Sequence, residues 1–152
     1  MELRRAVATD IAELMNWFDS VESCRQWGGP KFEFPYTEES FFRDIKWQQM
    51  DSYSLEQDPG ELIGFGQLYA KLGRSHLARL VIHPANRAQG LGYMLVNMLL
   101  ERGSENGQQS SLYVLENNCA AISCYQRAGF EFAAQPKDDD VPPECLFMVR
   151  KP

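Results

Sequence analysis

Hydrophobic and polar positions change rhythm several times along the chain, and each change predicts an element. Leu3 to Val7 reads as a first strand. Thr9 and Asp10 then offer an N-cap, after which Ile11, Leu14, Met15 and Phe18 recur at helical spacing. The stretch "CRQWGGPKFEFPYT", rich in glycine, proline and aromatics, reads as an ordered loop. Thr37 caps a second short helix in "EESFFRDIKWQQM", where Glu39 suits the positive end of the helix dipole. "SYSLEQDPGELIGFGQLYAKL" predicts two strands joined at the turn Gln57-Asp58-Pro59-Gly60, and "SHLARLVIHP" returns as a third strand of that meander.

In the second half, Leu91, Met94, Leu95, Met98 and Leu99 form one apolar stripe of a helix running from Gly90 to Gly103. "SSLYVLE" is a strand, and Asn118 to Ala128 a helix closed by Gly129. "FEFAA" and "CLFMVR" make two final strands on either side of the acidic, proline-rich "QPKDDDVPPE". The order is strand, two helices, three strands, helix, strand, helix, two strands. That order predicts an α/β protein with one mixed sheet, antiparallel early and with parallel crossovers later. At 152 residues, with no repeat or linker, the whole of 1–152 is expected to be a single domain.

Charge and cysteine content narrow the function classes. A net charge of −6 argues against a nucleic-acid partner, which selects basic surfaces. No run approaches the ~18 apolar residues of a membrane span, and the N-terminus lacks a signal-peptide core. Cys24, Cys119, Cys124 and Cys145 form no CxxC pair and no zinc-type spacing with histidine. They read as reduced, mostly buried thiols of a cytoplasmic protein, and no metal is expected.

Candidate chemistry concentrates where the strand Leu80-Val81-Ile82 ends at His83-Pro84 and Arg87-Ala88-Gln89-Gly90-Leu91-Gly92 opens a helix. A helix N-terminus presents unpaired N–H groups and partial positive charge to an anion. Gly90 and Gly92 leave the backbone open to close approach, and Arg87 adds a fixed charge. The segment has neither the lysine of a Walker loop nor the third glycine of a dinucleotide fingerprint, since Leu95 stands there. Arg-x-x-Gly-x-Gly remains, which taken alone also fits two glycines that only permit tight packing.

A second constellation follows: Asn118, Ala121, Tyr125 and Gly129-Phe130 in "NNCAAISCYQRAGFEF". Both motifs in this order resemble the GNAT superfamily of acetyl-CoA-dependent N-acyltransferases, specifically from about Arg79 to Phe132. The resemblance implies a GNAT-like fold, a central mixed sheet flanked by helices, and acetyl-CoA as co-substrate. It also implies roles. Leu80, Val81 and Ile82 match the strand that pairs with pantetheine and holds the thioester carbonyl. Arg87, Ala88, Gln89, Gly90, Leu91 and Gly92, with Tyr93 just beyond, match the pyrophosphate loop. Asn118 matches an asparagine that contacts the cofactor arm, and Tyr125 the tyrosine that faces the cofactor sulfur. The chemistry asks for such parts: an N–H for the developing oxyanion and a hydroxyl to protonate the departing thiolate. Tyr125 also has the spacing of a core aromatic beside Ala121 and Ile122.

The pattern departs from the family at Tyr113, where members acetylating ribosomal-protein N-termini carry a glutamate base. A protein N-terminus is therefore a less favoured acceptor than a small-molecule or peptidic primary amine. Glu116, Glu61 and His83 are the substitute bases by residue type, with His83 also reading as a turn-bonding histidine. Acceptor specificity is expected in the early helices and loop. Trp27 is the pocket candidate there, while most of Phe32, Phe34, Tyr36, Phe41 and Phe42 read as packing on the sheet. "KDDD", Lys137 to Asp140, reads as a solvated hairpin tip. Two other functions stay open: a CoA-binding module without catalysis, and a cysteine hydrolase using Cys124 or Cys119 with His83. The chain is expected to act as a monomer or homodimer.

Overall fold

A computed structural model describes residues 1–104, 108–137 and 141–152. Its strands are β1 (Glu2–Arg5), β2 (Asp51–Glu56), β3 (Leu62–Lys71), β4 (Arg74–Ile82), β5 (Ser110–Leu115), β6 (Glu131–Phe132) and β7 (Cys145–Arg150). They form one sheet in the order β1-β2-β3-β4-β5-β7-β6. Among the described pairings only β4 and β5 run parallel, with α4 carrying the chain back between them. The helices are α1 (Ala8–Leu14), α2 (Val21–Gly28), α3 (Glu38–Asp44), α4 (Leu91–Gly103) and α5 (Cys119–Arg127).

Two apolar cores lie on the two faces of this sheet. One gathers Leu55, Ile63, Leu77 and Leu112 with Leu95 and Leu99 of α4 and Phe130. The other gathers Phe65 and Leu62 with Ile11 and Leu14 of α1, Cys24 of α2 and Phe41 of α3. Helix α4 sits very close to β3: a Cβ on Gly66 would stand 2.7 Å from Leu99 Cδ1, so glycine there permits the packing.

The helix read in "EESFFRDIKWQQM" ends at Asp44 and the strand read in "FEFAA" keeps only Glu131–Phe132, and four further elements differ from expectation. β1 stops at Arg5, because Val7 is the N-cap of α1 and Asp10 is its third residue, not its cap. The Asp10 carboxylate reaches back 2.9 Å to accept from the Val7 N–H. Phe18 lies beyond α1 in extended backbone, although it is buried as its spacing suggested. The segment read as a loop begins inside α2, started by the Ser20 hydroxyl accepting from the Ser23 N–H at 3.1 Å. On α4 the buried face is Leu91, Leu95, Val96, Leu99 and Leu100, while Met94 is exposed and Met98 half-buried. The helix thus turns its i, i+4 rows to the sheet.

At one edge, Arg4 of β1 is held bidentately by Asp10 at 2.7 and 2.9 Å and by Glu56 of β2. Ser54 donates a further 2.9 Å bond to Asp10. Burial alone would raise the Asp10 carboxyl. The hydrogen bonds from Arg4, Val7 and Ser54 outweigh it and hold the pKa below its ordinary value.

Candidate functional site

Two strands that pair and then part create the site. β4 and β5 pair only at Ser75 with Ser110, His76 with Ser111 and Leu77 with Leu112. Past Leu77, β4 runs on to Ile82 with no β5 partner, which leaves backbone groups on that side for another occupant. A cavity of about 690 Å³ fills the opening.

The residues singled out from the sequence surround this cavity. Leu80, Val81 and Ile82 form one wall; Arg87, Ala88, Gly90, Leu91, Gly92 and Tyr93 form the rim. Asn118 and Tyr125 close it from α5. Gln89, in the middle of the loop, is exposed and does not line it. Gly90 is the N-cap of α4 at φ +77, a left-handed conformation that glycine adopts freely. A Cβ at Gly90 or Gly92 would meet nothing within 4 Å, so the space over the helix start is open. Side-chain crowding accounts for neither glycine; the left-handed backbone favours glycine at Gly90. Arg87 is exposed and donates from Nε to the Ile82 carbonyl at 3.3 Å, which tethers its guanidinium beside that opening. Arg127 of α5 lies 4.5 Å over the Tyr93 ring and adds a further cation to the cavity lining, one the sequence did not single out.

Asn118 caps α5, its Oδ1 accepting from the Ala121 N–H at 3.3 Å. Tyr125 is half-buried and packs against Phe130 with ring centroids 6.1 Å apart. Burial, with the neighbouring Cys124 thiol, pushes its phenol up to about 12, so it keeps its proton at any ordinary pH.

Trp27 is both a core aromatic and a cavity residue. Its ring stacks on Phe18 at 4.5 Å and on Phe41 at 5.8 Å, and its indole N–H donates to the Arg79 carbonyl at 2.8 Å. That carbonyl belongs to a bulge: β3 and β4 change register between Phe65 and Gln67, and Arg79 has φ +51. Trp27 also lines a second cavity of about 740 Å³. The two cavities share Gln26, Trp27, Leu77, Ala78, Arg79, Tyr113 and Leu115, so they meet at the bulge.

Of the substitute bases, Glu61 and Glu116 are exposed and line neither cavity. His83 bonds its turn, Nδ1 accepting from the Ala85 N–H at 3.0 Å, and its ring packs edge-on to Trp17. The carboxylates that do line the second cavity, Glu22 and Glu144, were not singled out from the sequence. Tyr113 stands at the junction of the cavities, 5.4 Å from the Phe147 ring. All four cysteines are free, but Cys119 is exposed and only Cys24 is fully buried. Burial raises the Cys124 thiol, which keeps it a thiol and disfavours a nucleophilic role. Asp138 to Asp140 of the acidic segment lie outside the described residues. Among the described residues, no three His, Cys, Asp or Glu side chains cluster as metal ligands, and no helix is long and apolar enough to cross a membrane.

Comparison with known proteins agrees with this geometry. The model of the acetyltransferase (GNAT) family matches residues 21–130, and the chain belongs to that family. Over 165 aligned residues it is 24% identical to an aminoglycoside N(6′)-acetyltransferase type 1 of Klebsiella pneumoniae, covering 97% of this chain and 81% of that one. Among solved structures, AAC(6′)-Ib in complex with ribostamycin and coenzyme A superposes with a TM-score of 0.78 at 23% identity, covering 98% and 92% of the two chains. The spermidine N-acetyltransferase of Vibrio cholerae, in complex with CoA and spermine, gives 0.74 at 20% identity, covering 99% and 94%.

Proposed function

We propose that residues 1–152 form one catalytic domain that moves an acetyl group from acetyl-CoA to a primary amine of a small molecule or peptide, by direct attack in a ternary complex. One observation carries this reading. The opening between β4 and β5 ends on an unobstructed glycine helix start at its rim and on a protonated tyrosine at its α5 wall.

The residues divide the work by position. Gly90 and Gly92 let a pyrophosphate reach the N–H groups of α4, with Arg87 and Arg127 supplying charge. The parted edge of β4 at Leu80 to Ile82 offers N–H and C=O groups to an extended amide-bearing arm, and an N–H to the oxyanion that develops as nitrogen attacks the thioester carbonyl. Carbon–nitrogen bond formation and carbon–sulfur cleavage leave an extra proton on nitrogen and a thiolate on sulfur. Tyr125 answers both needs. A phenol with a pKa of about 12 does not give its proton away for good to a thiolate, whose conjugate acid sits near ~8.5. It donates to sulfur while the proton shed by nitrogen restores it, through cavity water. The second cavity, meeting the first at the bulge, is the place for the amine.

Four free thiols and the use of acetyl-CoA support a cytoplasmic location. The test is release of CoA thiol from acetyl-CoA across a panel of amines, with a chelator present in a parallel set. Amine-dependent release unaffected by the chelator supports the reading. Acetyl-CoA binding without release for any amine would instead favour a CoA-binding module of the same fold.

A further inference from the structure

Among the described residues, the charged side chains that line the second cavity are Arg25, Lys46, Lys71, Arg79, Glu22 and Glu144. Arg79 is the most informative of them. It stands on the β4 bulge, where its Nη1 donates to Gln67 Oε1 at 3.1 Å and approaches Met50 Sδ at 3.5 Å. Gln67 is fully buried and is spent on neutral partners, its Nε2 donating to the Ile45 carbonyl at 2.8 Å and to Ser52 at 3.0 Å. Arg79 Nε is buried without a partner, and no carboxylate among the described residues lies within 4.0 Å of the guanidinium.

A desolvated guanidinium stays charged and is costly to bury against neutral groups alone. At the sheet edge, by contrast, Arg4 has both Asp10 and Glu56. Arg79 has no such ion pair: Asp44, itself bonded to Arg43 and to the Glu33 N–H, acts on it only from beyond 4.0 Å, and the position borders the cavity where the amine is placed. Resting on the acetyltransferase reading above, we infer that the acceptor is an amine that also carries an anionic group, a carboxylate or a phosphate-type group, which pairs with Arg79 in this second cavity. Polycationic amines, such as the spermine and ribostamycin bound to the structural relatives, would meet the Arg79 guanidinium there without an anion to pair with it.

The experiment compares matched primary amines with the acetyl-CoA-loaded protein. Each α-amino acid is paired with its amide and each aminoalkyl phosphate with its alcohol, alongside spermidine and ribostamycin. Product is quantified by mass spectrometry. The anionic member of a pair is expected to win by ~10- to 100-fold in kcat/KM, the range of one charge-assisted contact. The carboxylate and phosphate arms tell the two sources apart. In Arg79→Gln the preference should shrink to within about threefold, through a higher acceptor KM. Arg79→Lys should retain part of it, and an intact melting shift with acetyl-CoA reports that each variant is folded. Equal or better turnover of the neutral or polycationic amines would overturn the inference, as would a preference that survives in Arg79→Gln. Absence of both an acetyl-CoA shift and any product would overturn the acetyltransferase reading, and this inference with it.

Discussion

The Trp27 indole N–H donates to the Arg79 carbonyl oxygen at 2.8 Å, tying α2 to the bulge of β4. That single bond joins the wall shared by both cavities to the strand whose edge is left unpaired. Trp27→Phe keeps the aromatic stack but leaves a carbonyl without its donor, at a cost of about 1–2 kcal/mol. A melting temperature lower by about 2–8 °C is expected, with a raised acceptor KM because the bulge relaxes. Unchanged melting and unchanged KM would mean that the bond holds nothing in place.

Tyr125→Phe keeps the ring that packs on Phe130 and removes only the hydroxyl. Turnover should fall by about 10²-fold, the low end for a lost proton donor because cavity water substitutes in part. The loss belongs in kcat, with acetyl-CoA affinity little changed. Since the phenol sits at about 12, an alkaline limb of the pH–rate profile below pH 10 should be the same in both proteins. Wild-type turnover in Tyr125→Phe, measured where chemistry is rate-limiting, would remove Tyr125 from the mechanism.

Gly90 is a poor position for a steric probe, because any side chain there is strained at φ +77. Gly92, without positive φ and facing open space, is the cleaner one. Gly92→Val places branched carbons over the N–H groups of α4 while leaving the fold intact. Acetyl-CoA affinity should drop ~10- to 100-fold with melting temperature of the free protein nearly unchanged. A titration giving wild-type affinity would assign these glycines to the local turn alone.

Much of this arrangement was legible in the sequence, for reasons that particular residues make plain. The strands were read from β-branched runs ended by strong turns such as Asp58-Pro59-Gly60, and α4 and α5 from apolar spacing closed by glycine. The first cavity was legible because Arg87-x-x-Gly90-x-Gly92 stands together with the Asn118 to Phe130 stretch, whereas the glycine pair alone also fits tight packing. Helix α2 was missed because Gly28-Gly29-Pro30 dominate its stretch, and its start is signalled only by the Ser20–Ser23 pair. Arg79 was missed because nothing local marks a bulge. Its left-handed backbone and buried guanidinium arise from the register of β3 on β4, which is a tertiary fact.

Asp10 offers a test of the fold at the sheet edge, far in sequence from the site. Its folded pKa lies below the ordinary 3.8, so the stability it supplies is present above that value and lost as pH falls through the folded pKa. Asp10→Ala should cost about 3 kcal/mol at pH 7, since it leaves the Arg4 guanidinium with Glu56 alone. As pH falls below 3.8 and through the folded pKa, the gap between the two proteins should narrow. Urea titrations across that range check this, and a gap that widens in acid would reverse the assignment.

The proposed reaction passes an acetyl group from acetyl-CoA to an amine nitrogen in the opening between β4 and β5. The most direct measurement supplies acetyl-CoA labelled with ¹³C in the acetyl group, an amine panel, and either wild-type protein or Gly92→Val. Product is followed by mass spectrometry. Labelled acetyl on the nitrogen of at least one amine, formed by the wild type and strongly reduced in Gly92→Val at subsaturating acetyl-CoA, is the predicted result. Labelled product formed equally well by Gly92→Val, or wild-type protein that binds acetyl-CoA and acetylates no amine, would contradict it.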